Sequence, residues 1–109
     1  MEPKFWMALA ASVAFAAPAS ANIVYMTGTS NPWGNTTNDS AMNAAFGAGN
    51  WTKVMGFDVS ALTGTSFIFI DGGDSNADQF GDFLIANFAA FDAFLAGGGK
   101  ALVHAAPNG

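Results

Sequence analysis

The sequence has no cysteine and no arginine, and it carries a single histidine and three lysines. Without cysteine there is no disulfide to staple a small exported fold and no thiol nucleophile, so stability has to come from packing. With no arginine and a net charge of −5, nothing offsets the repulsion of a nucleic-acid backbone, and that partner class is excluded. None of Ser30, Ser40, Ser60, Ser66 and Ser75 sits in a glycine-flanked elbow of the hydrolase type, so no serine nucleophile is nominated. No internal repeat recurs at a fixed period, and no cofactor is assigned.

The one long apolar run is "FWMALAASVAFAA", 13 residues from Phe5 to Ala17, too short to span a bilayer comfortably. It follows Lys4 and leads into "PASA", whose small-x-small ending, Ala19-Ser20-Ala21, marks a cleavage site after Ala21. Residues 1–21 therefore read as a signal peptide helix, with a buried N-terminal helix as the alternative. The alanine-rich pattern is of the bacterial kind, and export places the mature chain in the periplasm, at the cell surface or among secreted proteins. Residues 22–109 contain no further long apolar segment, so no membrane span is expected in the mature chain.

Short apolar runs alternate with glycine-rich polar breaks through the mature part. "NIVYMTG" reads as a strand ending near Thr27-Gly28, and "SAMNAAFGAG" as a helix of two to three turns stopped at Gly47 or Gly49. "WTKVMGFDV" is a second strand of uncertain length because of Gly56. Phe67-Ile68-Phe69-Ile70 is apolar at every position, as expected of a strand covered on both faces within a parallel sheet. Then Phe80, Phe83/Leu84, Phe88, Phe91 and Phe94/Leu95 recur at three- and four-residue spacing, predicting one long amphipathic helix. Ser75 with Asp78 is a candidate capping box at its start, with Asp78 as direct cap the alternative, and Gly97 a left-handed stop at its end. "KALVHA" closes as a fourth strand. The order strand, helix, strand, strand, helix, strand predicts an α/β fold with a mainly parallel sheet. About four strands and two helices make a thin core, so residues 22–109 read as the N-terminal part of a larger domain.

In open α/β sheets, ligands bind outside the carboxyl ends of the strands. Three polar loops are expected there: "TGTSNPWG", "DGGDSNAD" and "HAAPNG". His104 stands at this rim, where an imidazole can carry a proton, hold a metal or donate a hydrogen bond, or simply pin its loop to a carbonyl. Asp71 is the aspartate placed to orient the ring. Asp74, Asn76, Asp78 and Asp82 alternate like the start of a calcium loop, but Gln79 stands where that loop needs glycine and Ile85 where it needs a bidentate glutamate. Asp74 and Asn76 are therefore read as ligand-binding candidates, and no metal site is assigned. Trp33 beside turn residues suits the face of a sugar, or folds back as a plug over the sheet. Asn35, Asn38 and Asn50 each begin a glycosylation sequon, read here as polar loop chemistry because the leader is of the bacterial kind.

The stretch "FDAFLAGGGKALVHAA", with "LTGTSFIFIDGGDSNADQF" before it, resembles trehalose-utilisation (ThuA-like) domains over Ala61 to Ala106. Residue by residue, Gly97, Gly98, Gly99, His104 and Ala105 carry the likeness; Leu102 and Pro107 depart from it. The resemblance implies the fold of class I glutamine amidotransferase-like domains, a flavodoxin-like three-layer sandwich. The amidotransferase cysteine has no counterpart, which removes glutamine hydrolysis by that route. Three functional classes remain in view: a non-catalytic, carbohydrate-directed binding or surface module using Trp33, Asp74 and Asn76; a sugar-active or metal-assisted enzyme using His104 and Asp71; and a structural or interaction domain with an acidic surface.

Overall fold

The computed structural model describes residues 22–29, 32, 36–73 and 76–105. The expected signal peptide, and with it Trp33, Asp74 and Ser75, lies outside the described residues.

Four strands, β1 (Asn22–Thr27), β2 (Thr52–Met55), β3 (Thr65–Gly73) and β4 (Lys100–Ala105), form one sheet in the order β2-β1-β3-β4. Every neighbouring pair is parallel. Three α-helices accompany them: α1 (Thr37–Phe46), α2 (Ala77–Ala86) and α3 (Phe88–Ala96). A 3₁₀ turn at Val59–Leu62 lies in the β2 to β3 crossover. The α/β class and parallel sheet expected from the apolar pattern are thus present, with three helices where two were expected.

The extra helix comes from a break in the predicted long one at Asn87. Its backbone (φ −121°, ψ 24°) leaves the helical region, and its side chain donates to Phe83 O at 2.9 Å. An asparagine that bonds its own backbone competes with the helical ladder, and the axis is interrupted there. The apolar spacing runs on through the break, because Phe80, Phe83, Phe91 and Phe94 all still face the sheet. Two further corrections concern helix ends. Gly97 is not left-handed (φ −79°); Gly98 takes the positive φ of 98°, and Gly99 N–H closes the terminus on Phe94 O at 2.9 Å. At the start of α2 the N-cap position falls on Asn76, so Asp78 lies inside the first turn.

The sheet is covered unequally. Along each strand alternate side chains point to opposite faces. Val24, Met26, Ile68 and Ile70 pack on one face with Phe80 of α2 and Phe91 of α3. Tyr25 and Phe69 pack on the other with Met42 of α1, flanked by Phe46 and Trp51. The direction of travel reverses after β2, so the α1 crossover and the later crossovers fall on opposite faces, as right-handed connections require. Central β3 bears out the expectation drawn from its unbroken apolar run: Ile68 and Ile70 are inaccessible and Phe69 nearly so. Edge strand β4 is exposed along all six residues, with Leu102 54% and Val103 48% accessible.

Candidate functional site at the carboxyl edge of the sheet

The register of the parallel pairs aligns Thr27 of β1 with Asp71 of β3, and Asp71 with His104 of β4. Side-by-side residues in a parallel sheet share a face, so the three form a lateral polar row. It lies on the α1 face, above the apolar row of Tyr25, Phe69 and Leu102. Among the described residues no pocket closes over it.

Two members, Thr27 and Asp71, are held by local backbone chemistry. Thr27 is fully buried; its hydroxyl donates to Thr29 O at 2.9 Å and accepts from Thr29 N–H at 3.3 Å, which fixes the turn out of β1. Asp71 is also fully buried, and Gly73 N–H donates to its Oδ1 at 2.6 Å. This is an Asx-type turn, and it needs the left-handed backbone of Gly73, whose φ is +60°. The ladder to β4 slips at the same point, between Asp71 and Gly73, so the strand bends just beyond the carboxylate.

The second carboxylate oxygen is approached by Asn38 of α1 and His104 of β4. Asn38, in the first turn of α1, donates through Nδ2 to Asp71 Oδ2 at 2.6 Å and to the Tyr25 hydroxyl at 3.0 Å. His104 Nδ1 stands 3.6 Å from the same Oδ2. The carboxylate is inaccessible while the imidazole side chain is 58% exposed, so the pair spans the boundary between core and solvent. A charge buried to this degree is tolerated only with such donors, each bond to a charged group being worth about 1.5–3 kcal/mol. Nearby, Lys53 pairs with Asp39 at 3.1 Å and lies 5.6 Å from the centre of the Tyr25 ring, tying β2 to α1.

Of the residues nominated from sequence, His104 and Asp71 are brought together. Asn76 lies on the neighbouring loop; its side chain bonds Gln79, and it crowds Gly28, where a Cβ would stand 2.9 Å from Asn76 Cγ. Trp33 and Asp74 fall outside the described residues. Sequence reasoning passed over Asn38, Tyr25 and Thr27. Asn38 registered only as the head of a sequon, and no spacing rule links it to an aspartate 33 positions later; the one available signal was its place in the first turn after a strand-end loop. No group of three His, Cys, Asp or Glu side chains among the described residues is placed to hold a metal ion. No helix among them is long and apolar enough to cross a membrane.

Comparison with protein-family models, with curated proteins and with solved structures gives no match to this chain.

Proposed function

We propose that the chain is an exported bacterial binding module, without catalytic activity, whose residues 22–109 are the N-terminal part of a glutamine amidotransferase-like domain, and that the rim around Asp71 and His104 takes a neutral, carbohydrate-type ligand. The flavodoxin-like reading is supported by the strand order β2-β1-β3-β4, which matches the first four places of the flavodoxin-like order. In that arrangement ligands bind where the chain reverses between β1 and β3; Thr27 ends β1, and Asp71 lies two residues before the end of β3. The uncovered state of β4 supports a sheet that continues: Ala101, Leu102 and Val103 have the composition of an interior strand, yet both faces are exposed. Export is supported by the pattern of residues 5–21 alone, and the ThuA-like likeness by the glycine triplet followed by "KALVHA".

The observation that carries the binding reading is the polar row Thr27, Asp71 and His104, built around a fully buried carboxylate at the carboxyl edge. Buried ionisable groups beside exposed ones gather at ligand sites more often than elsewhere, which supports a binding role for the row beside the structural bonds that Asp71 makes. The test is retention of the full chain on a panel of immobilised neutral glycans. Wild-type retention that is lost in His104→Ala and in Trp33→Ala, with unchanged circular dichroism, is expected. No wild-type retention, or retention in both variants equal to that of wild type, overturns the reading.

A second reading is favoured by one geometric fact, the exposed imidazole 3.6 Å from the buried carboxylate. That is the arrangement of a histidine acid or base oriented by an aspartate. Turnover of chromogenic glycosides that disappears in His104→Ala while the fold persists selects the enzyme over the binding module.

A further inference from the structure

The two edges of the described sheet are defended unequally. β2 is four residues long with a half-buried centre, and its Lys53 is tied to Asp39. Short length and a charged side chain are the usual protections of an edge. β4 runs six residues, is exposed throughout, and has neither charge nor proline across Ala101-Leu102-Val103. Helix α3 widens this edge. It returns antiparallel to β4 with Phe91 and Phe94 on the sheet, so its right-handed turn of about 100° per residue swings Phe88 and Leu95 to the flank beside β4. Phe88 is mostly exposed and Leu95 51% so. Ala101 and Val103 share the face of Ile68 and Ile70 that α2 and α3 cover, while Leu102 lies on the other. Phe88, Leu95, Leu102 and Val103 together leave an apolar strip on the order of 400 Å².

We propose that β4 is the seam of a two-fold dimer, in which the same strand of a second copy pairs with it antiparallel and the two sheets run on as one. The strip fits a copy of itself. A two-fold axis normal to the sheet keeps each face continuous, and through Leu102 it sets Leu102 against its counterpart, Ala101 against Val103 and Lys100 against His104. A small side chain then meets a larger one on the helical face, and each copy brings its Lys100 to the face that carries the other's polar row. The same axis lays α3 antiparallel beside its counterpart, with Phe88 toward Leu95. Together with the paired backbone of β4, these contacts bring the seam to the order of 600 Å² per copy, where specific interfaces begin. Asp92, the one charged residue of α3, lies between Phe88 and Leu95 and meets its own counterpart near the axis. That like-charge pair weakens the seam without closing it, because Asp92 is exposed. The inference goes beyond the binding reading and stands without it, since the seam runs along the strand and the proposed ligand sits at its carboxyl end.

Sedimentation equilibrium of the full chain across the micromolar range is the test. Wild type is expected to sediment as a dimer that dissociates on dilution. Leu102→Lys and Val103→Lys, at exposed positions on opposite faces of β4, are each expected to weaken association about tenfold with unchanged circular dichroism. Leu95→Lys acts from α3 and serves if a strand variant does not fold. Asp92→Asn is expected to tighten the dimer a few-fold. A wild type that stays monomeric overturns the proposal and leaves the edge to residues of the same domain. Association that survives the lysine variants overturns it as well, because the contact then lies elsewhere, and an Asp92→Asn chain no tighter than wild type removes the α3 pairing. Unfolding curves taken on the diluted, dissociated chain report the stability of a single copy.

Discussion

The Phe80 ring lies directly on Gly72: a Cβ built at position 72 would stand 3.0 Å from Phe80 Cδ2 and 3.2 Å from the Ala105 Cβ. Gly72 thus lets α2 approach β3 at the residue following Asp71, while β4 closes from the side. Gly72→Ala is expected to destabilise the chain by about 1–3 kcal/mol through overpacking. Urea unfolding monitored by circular dichroism measures it, and a midpoint equal to wild type would show that the contact has slack.

Phe80 is only 3% accessible and joins α2 to the cluster of Val24, Met26, Ile68 and Ile70. Truncation to alanine removes the ring and leaves a cavity between helix and sheet. Phe80→Ala should cost about 3–5 kcal/mol, a large share of the stability of so small a chain. Phe88→Ala is the control, because Phe88 belongs to the same sequence period yet is 71% exposed; its change should stay within about 0.5 kcal/mol.

Asp71→Ala deletes the acceptor for Asn38 and for Gly73 N–H in a fully buried setting. Leaving those donors unmatched should cost about 1–3 kcal/mol. His104→Ala, at a mostly exposed side chain, should leave the unfolding midpoint nearly unchanged. Paired denaturation curves separate a residue that supports the fold from one that serves the rim.

Asp58 caps the 3₁₀ turn by accepting from Ser60 N–H at 3.0 Å, and the Ser60 backbone and hydroxyl hold its carboxyl below the ordinary aspartate value. Its pKa is lower in the folded chain than in the unfolded one. The capping contribution is therefore complete above the unfolded value and lost as pH falls through the folded one. Stability measured from neutral pH down into the acid range should decline less steeply in Asp58→Asn than in wild type. Equal slopes would show that the cap is inert.

The parts of the fold that could be read in the sequence are those written as local pattern. Phe67 to Ile70 announced a strand covered on both sides because every position is apolar, and no partner needs to be known for that inference. The break at Asn87 was hidden because the phenylalanine spacing continues across it; only the asparagine's bond to Phe83 O, a competition between side chain and ladder, divides the helix. In the site, Asp71 and His104 could be named because each ends an apolar run, and strand ends converge in any parallel sheet. Asn38 and Tyr25 could not, since their link to Asp71 depends on which face of the sheet α1 covers. That choice follows from the β2-β1-β3 reversal, which no short window of residues contains.

Among the described residues β4 is bonded along one side only, and its apolar side chains are exposed. His104 therefore rides on an exposed edge strand, while Asp71 sits on an enclosed central one. Detachment of that single ribbon would carry the imidazole away and leave the three-strand scaffold, with its carboxylate still gripped, standing. The pairing of ring and carboxylate accordingly depends on the hold of that border strand, and whatever stiffens the border strengthens the pairing without touching either residue.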